Sequence, residues 1–242
     1  LYAPFVGKNV TATDIEHLLA QANDDTYWHA LEPLQQLCGD GLANRVVRTY
    51  VNNILRNDHH HAPFQYVVSE TRLSAQLNDV WLYGFADRID LKANTLRVID
   101  YKTGKTDLAY ENMAKVFGVV EPTEDGVMPV RTKGQRQILQ TLLYCWLIAD
   151  STSSTPYTHP TSYGEASNIT PYIYSARLIA LEDVPAVMYD NVPLVFDAKI
   201  KQDFVAELTK LLDEIFDSSH SFVPTNDSYI CASCAFSQLC QG

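Results

Sequence analysis

The stretch from Gly84 to Lys105 constrains the fold more than any other part of the chain. Its alternation predicts two strands, residues 82–91 and 95–103, joined by a tight turn at Lys92-Ala93-Asn94. Side chains on a strand point to alternate faces. On the first strand Trp81, Tyr83, Phe85, Ile89 and Leu91 therefore share a face with Asp87. On the second, Leu96 and Val98 share a face with Asp100 and Lys102. Two carboxylates and an ammonium thus fall in line with apolar residues. A buried, unpaired charge costs several kcal/mol or neutralises itself. The three groups therefore need one another or a divalent metal.

The rest of the composition narrows the class. The chain has 242 residues, 46% hydrophobic, enough for one large domain with a sizeable core. No apolar run reaches the roughly 18 residues of a membrane helix, and no signal peptide is visible. Leu1 opens the chain without a Met, in helix-like sequence, so it reads as an excised piece of a longer protein. The formal net charge of −11 excludes a nucleic-acid footprint over the whole surface. Between Gly126 and Ala149, however, the only charges are Arg131, Lys133 and Arg136. Three of the five cysteines, Cys231, Cys234 and Cys240, are clustered near the C-terminus. That pattern suits metal chemistry in a reducing compartment better than a disulfide scaffold.

Around the central hairpin the periodicity predicts helices over 13–21, 27–37, 44–55, 134–149 and from Asp197 to about residue 216. Further strands are expected over 65–73, with Glu70 inside, over 169–181 and over 192–196. Residues 65–103 then form an antiparallel meander. His59, His60 and His61 read as a solvated loop, and residues 151–168 as an exposed one.

Three constellations could carry chemistry. Asp87, Asp100 and Lys102 could hold Mg²⁺ or Mn²⁺ and orient an attacking water, or Asp100 and Lys102 could form a plain salt bridge. Gln137, Gln140 and Tyr144 make a polar line on an apolar helix, facing either a cleft or solvent. Cys231, Cys234 and Cys240 offer three corners of a metal centre. Their spacing is not that of paired zinc ligands, and an iron–sulfur cluster needs a fourth cysteine. Cys38 is the remaining candidate, since Cys145 lies in an apolar helix and reads as core.

Taken in order, Gly84-x-x-Asp87-Arg88-x-Asp90, Asp100-Tyr101-Lys102-Thr103-Gly104 and Gln140-x-x-x-Tyr144 resemble the PD-(D/E)xK nuclease superfamily in its RecB/AddB-like exonuclease branch. The tail, Phe222-x-Pro224-Thr225 to Cys240, resembles the iron–sulfur staple of that branch. The resemblance implies an α/β fold with a mixed central sheet flanked by helices, a restriction-endonuclease-like core. It implies metal binding by Asp87, Asp100 and the main chain of Tyr101, with Lys102 catalytic and Gln140 and Tyr144 acting beside them. Glu70 matches an acidic position on the preceding strand, with a less defined role. DNA contacts are expected from Arg131, Lys133, Arg136, Gln140 and Tyr144, and a [4Fe–4S] cluster from Cys231, Cys234 and Cys240 in the full-length protein.

The branch also implies a helicase subunit or domain as partner, a bacterial cytoplasmic location and no membrane. It has a metal-binding His and a first cluster Cys ahead of the sheet, which His59–His61 and Cys38 do not match. The implied picture is one nuclease domain cut short at its N-terminus, with a helical part over 1–64, a core over 65–217 and a cysteine tail over 218–242. Such a fragment is expected to be inactive and to lack the cluster. The alternatives are a non-catalytic DNA-binding scaffold, a CRISPR-associated-type exonuclease and a zinc-stabilised domain.

Overall fold

The computed structural model describes residues 1–29, 41–118, 120–121, 130–131, 135–150, 168–179, 185–219, 231–232 and 234–237. In chain order the elements are β1 (Lys8–Val10), α1 (Ala12–Ala22), α2 (Asp25–His29), α3 (Leu42–His61), β2 (Phe64–Leu77), β3 (Val80–Lys92) and β4 (Thr95–Lys102). Then follow β5 (Ala109–Tyr110), α4 (Met113–Phe117), β6 (Val120–Glu121), β7 (Val130–Arg131), α5 (Arg136–Asp150) and β8 (Asn168–Ser175). The series ends with β9 (Met188–Tyr189), β10 (Val192–Pro193) and α6 (Ala198–Phe216). The chain divides into two compact units, Leu1–Leu208 and Thr209–Gly242.

The first unit is built on a five-stranded sheet of order β1-β2-β3-β4-β8. β1 to β4 pair antiparallel and β8 joins β4 in parallel. The expected mixed α/β architecture is therefore present. The hairpin turn is tighter than read from sequence: Ala93 and Asn94 take left-handed backbones, with φ 46 and 63, between strands that run to Lys92 and from Thr95. Helix starts follow side-chain chemistry. Thr11 and Asp14 form a capping box on α1, and the Asp197 carboxylate accepts the Ile200 N–H at the start of α6.

The two faces of the sheet have different tasks. Lys102 of β4 bonds α5, so even-numbered β4 residues, including buried Leu96 and Val98, face that helix. Ile99 and Tyr101 face the other way and pack with Tyr174 and with Ile54 of α3. Arg88, opposite Ile99 in register, lies on the α3 side and is fully buried. Its guanidinium donates to Asp58 Oδ2 at 2.6 Å, to Asp90 Oδ2 at 2.7 Å and to the Tyr101 hydroxyl at 3.1 Å. Arg97 donates to the second oxygen of Asp90. Two positive and two negative charges thus cancel inside the protein. The rings of Tyr2, Phe64 and Tyr66 lie against Arg88, and those of Phe64 and Tyr172 against Arg97.

Two expectations need correction. His59, His60 and His61 are not a loop: α3 runs through them, because its last turn is anchored by buried Asp58 on Arg88. Nor do the apolar residues of β3 share one face with Asp87. Trp81, Tyr83 and Phe85 are exposed while Ile89 is completely buried. The two ends of β3 have different surroundings: residues 80–86 pair with β2 alone, whereas residues 88–92 lie between β2 and β4. Gly84 lies against Tyr144 of α5.

The second unit holds the C-terminal half of α6 and the described cysteines Cys231 and Cys234. Neither is in a disulfide.

Candidate active site

The end of β4 and the polar line of α5 build the site. Asp100 and Lys102, two apart on β4, project to the α5 side, and Lys102 Nζ lies 2.6 Å from Asp100 Oδ2. The same ammonium donates to Gln140 Oε1 at 3.0 Å. Gln140 Nε2 in turn donates to the Tyr144 hydroxyl at 2.6 Å. The i,i+4 spacing on α5 makes that last contact possible. Asp87 reaches the group from β3, where its Oδ2 accepts the main-chain N–H of Tyr101 at 2.7 Å. The Tyr101 side chain points to the opposite face, into the Arg88 cluster.

Burial is uneven. Asp100 is 1% exposed at its side chain and Lys102 26%. Burial raises the Asp100 carboxyl above its ordinary range; Lys102 opposes the shift and Asp87 adds to it. Burial likewise raises the Tyr144 hydroxyl, with the Gln140 hydrogen bond opposing. Asp100 Oδ1 is buried with no hydrogen-bond partner. An oxygen left in that state costs about 1–3 kcal/mol or more when charged. Beside Asp87 it is a hard oxygen donor suited to Mg²⁺ or Mn²⁺. No group of three or more His, Cys, Asp or Glu side chains suited to a metal occurs among the described residues. The remaining positions around such an ion would fall to main-chain oxygen and water.

Asp87, Asp100, Lys102, Gln140 and Tyr144 therefore come together as the sequence suggested. Gln140 and Tyr144 face the strands, whereas Gln137, the third residue of the polar line, is exposed. Glu70 is exposed, on the strand beside Asp87. Arg136 is exposed at the start of α5. Lys133, Cys38 and Cys240, and the side chain of Arg131, lie outside the described residues. What sequence reasoning missed is the support behind the site. Arg88 and Asp90 were visible in the motif but had no assigned task, and their partner Asp58 is remote in sequence.

Gly84 is a further support. A Cβ there would lie 2.6 Å from Tyr144 Cε1 and 3.2 Å from Cδ1. Gly84→Ala should therefore displace the buried Tyr144 ring and cost about 1–3 kcal/mol, an overpacking effect. Urea unfolding checks it, and a loss well under 1 kcal/mol would show the ring to be free to move.

A mixed sheet with an acidic pair and a lysine at one strand end, covered by a helix carrying Gln and Tyr, is a fold and site seen together in one class of protein. The chain matches the model of the PD-(D/E)XK nuclease superfamily over residues 5–241 and belongs to that superfamily. Superfamily members typically act on nucleic acid and use a divalent metal. No curated protein matches the chain.

Proposed function

We propose that this chain is the nuclease domain of a DNA exonuclease and that Asp87, Asp100 and Lys102 carry phosphodiester hydrolysis. The observation behind the reading is the buried, unpartnered Asp100 Oδ1 beside Asp87, with an ammonium 2.6 Å from its other oxygen. The two carboxylates, with the Tyr101 carbonyl, would hold Mg²⁺ or Mn²⁺. When bound, the metal supplies Lewis-acid polarisation of a phosphoryl oxygen and a more acidic water. Lys102 donates to negative charge developing on the phosphate or orients the water. Gln140 fixes the direction of the ammonium, and Tyr144 fixes Gln140. Arg136, with Arg131 and Lys133, extends the contact to DNA. The experiment is cleavage of DNA in Mg²⁺ or Mn²⁺ by the full-length protein and by its Asp100 and Lys102 variants. An intact protein without affinity for Mn²⁺ would favour the scaffold reading instead.

The finer placement is part of the same proposal. It comprises a single nuclease domain in the RecB/AddB-like branch, a helicase subunit or domain as partner, a bacterial cytoplasmic setting, and a [4Fe–4S] cluster held by Cys231, Cys234 and Cys240 with a fourth ligand. The order of the motifs supports the branch. Local geometry at the tail is compatible with thiolate ligands: the Phe236 N–H donates to Cys234 Sγ at 3.4 Å, and the Cys234 N–H to the Cys231 carbonyl at 3.2 Å. Elemental analysis of the full-length protein prepared without air should find iron. Zinc with no iron would overturn the cluster.

A further inference from the structure

From Leu42 to Asn57, α3 contains Arg45, Arg48 and Arg56 and no acidic residue, an exception in a chain of net charge −11. Arg45, Thr49, Asn52 and Arg56 follow helical spacing and form one stripe. With Arg48, Asn53 and Asn23 they line an open cleft of about 420 Å³. Its floor is fixed. Asn52 is buried, donates to the Arg48 carbonyl at 2.9 Å and accepts from Asn23 at 3.1 Å. Arg48 forms one wall, held by Asp25 and by the Trp28 ring. Arg45 and Arg56 differ: both are exposed, and neither pairs with a carboxylate among the described residues.

The stripe is tied to the site. Asn53 donates to the Ala176 carbonyl at 3.0 Å, and the Ala176 N–H donates to the Lys102 carbonyl at 2.8 Å. The exposed Arg177 follows directly. One end of the stripe is thus two hydrogen bonds from the main chain of Lys102.

We propose that this stripe binds the sugar–phosphate backbone of the nucleic-acid strand cut at Asp87, Asp100 and Lys102. The proposal rests on the nuclease reading for its ligand. Arg45 and Arg56 are separated by about 16 Å at 1.5 Å rise per residue. That is too far for one phosphate and matches about five nucleotides of a stacked strand at 3.4 Å each. The lining is Arg, Asn and Thr, which suits a polyanion and offers no apolar side chain for a membrane. Contacts of this kind position a strand without reading its sequence.

The test uses the chain carrying Asp100→Asn, so that binding is read without cleavage. Affinity for a labelled oligonucleotide is measured across salt concentrations, with and without Arg45→Gln/Arg56→Gln. Losing two phosphate contacts should flatten the slope of log affinity against log salt by about 1.4 for single strands or 1.8 for duplex, and weaken low-salt binding about tenfold or more. Arg45→Lys/Arg56→Lys keeps the charge and should retain the slope, which separates lost contacts from lost folding. An unchanged slope in the Gln pair overturns the proposal. So does loss of binding to phosphatidylserine vesicles with oligonucleotide binding intact. If no form of the full-length protein cuts DNA while the slope still flattens, the nuclease reading fails and the stripe stands.

Discussion

Lys102→Ala is expected to lower DNA cleavage by the full-length protein about 10²–10³-fold, the effect of removing one donor aimed at developing charge. Asp100→Asn should abolish metal-dependent cleavage and, at the same time, stabilise the metal-free fold. The reason is the environment of Asp100. Its carboxyl is buried, one oxygen has no partner, and its ionisation in the folded state is pushed above the unfolded value of 3.8. A group with a raised folded pKa weakens the fold where both states are ionised. The weakening fades as pH falls through the folded value and is gone below the unfolded one. Asparagine removes that penalty, so its gain should be present at neutral pH and vanish in acid. Thermal melts across pH without metal measure this. A variant less stable than the parent at pH 7 would mean the ion pair with Lys102 outweighs burial, and undiminished cleavage by either variant would sink the assignment. Adding Mn²⁺ should raise the melting temperature of the parent and leave Asp100→Asn unmoved.

Arg88→Met is expected to be the most damaging substitution to the fold itself. It would leave the buried carboxylates of Asp58 and Asp90 with Arg97 as their only cation in the cluster. Breaking a buried pair by removing one partner costs about 3–5 kcal/mol. That is a large part of the roughly 5–15 kcal/mol by which a domain is stable. Removing a partner as well, as in Arg88→Met with Asp58→Leu, should recover part of the loss, because the replacements fill similar space without charge. Urea unfolding of both variants is the measurement. A single variant within about 1 kcal/mol of the parent would show water reaching the cluster.

Much of this was legible in the chain. The central hairpin announces itself through alternation on either side of the short Lys92-Ala93-Asn94 turn. Asp100 and Lys102 share a face because strand period is strict where the ladder is unbroken. Gln140 and Tyr144 share one because α5 is regular. Sequence failed where a tertiary partner overrode local preference. His59 to His61 read as loop because polarity was counted and the distant Arg88 that anchors Asp58 was not. The shared face of β3 failed because β4 covers only residues 88–92, a boundary that alternation within β3 does not report. The arginines of α3 were legible one by one, but their cleft needs Asn23 from a different helix.

Tyr101 has a consequence that reaches across the sheet. Its ring is gripped by Arg88 on one side, and its main-chain N–H holds Asp87 on the other. The peptide is a lever pivoted in the plane of the sheet. Anything that loosens the charged knot on the α3 side tilts a reactive carboxylate on the α5 side, with no change to a residue near DNA. Inactivating lesions in this domain therefore need not cluster in the cleft, and those in the buried cluster of Arg88, Asp58 and Asp90 should be recognisable by heat sensitivity rather than by weakened substrate capture.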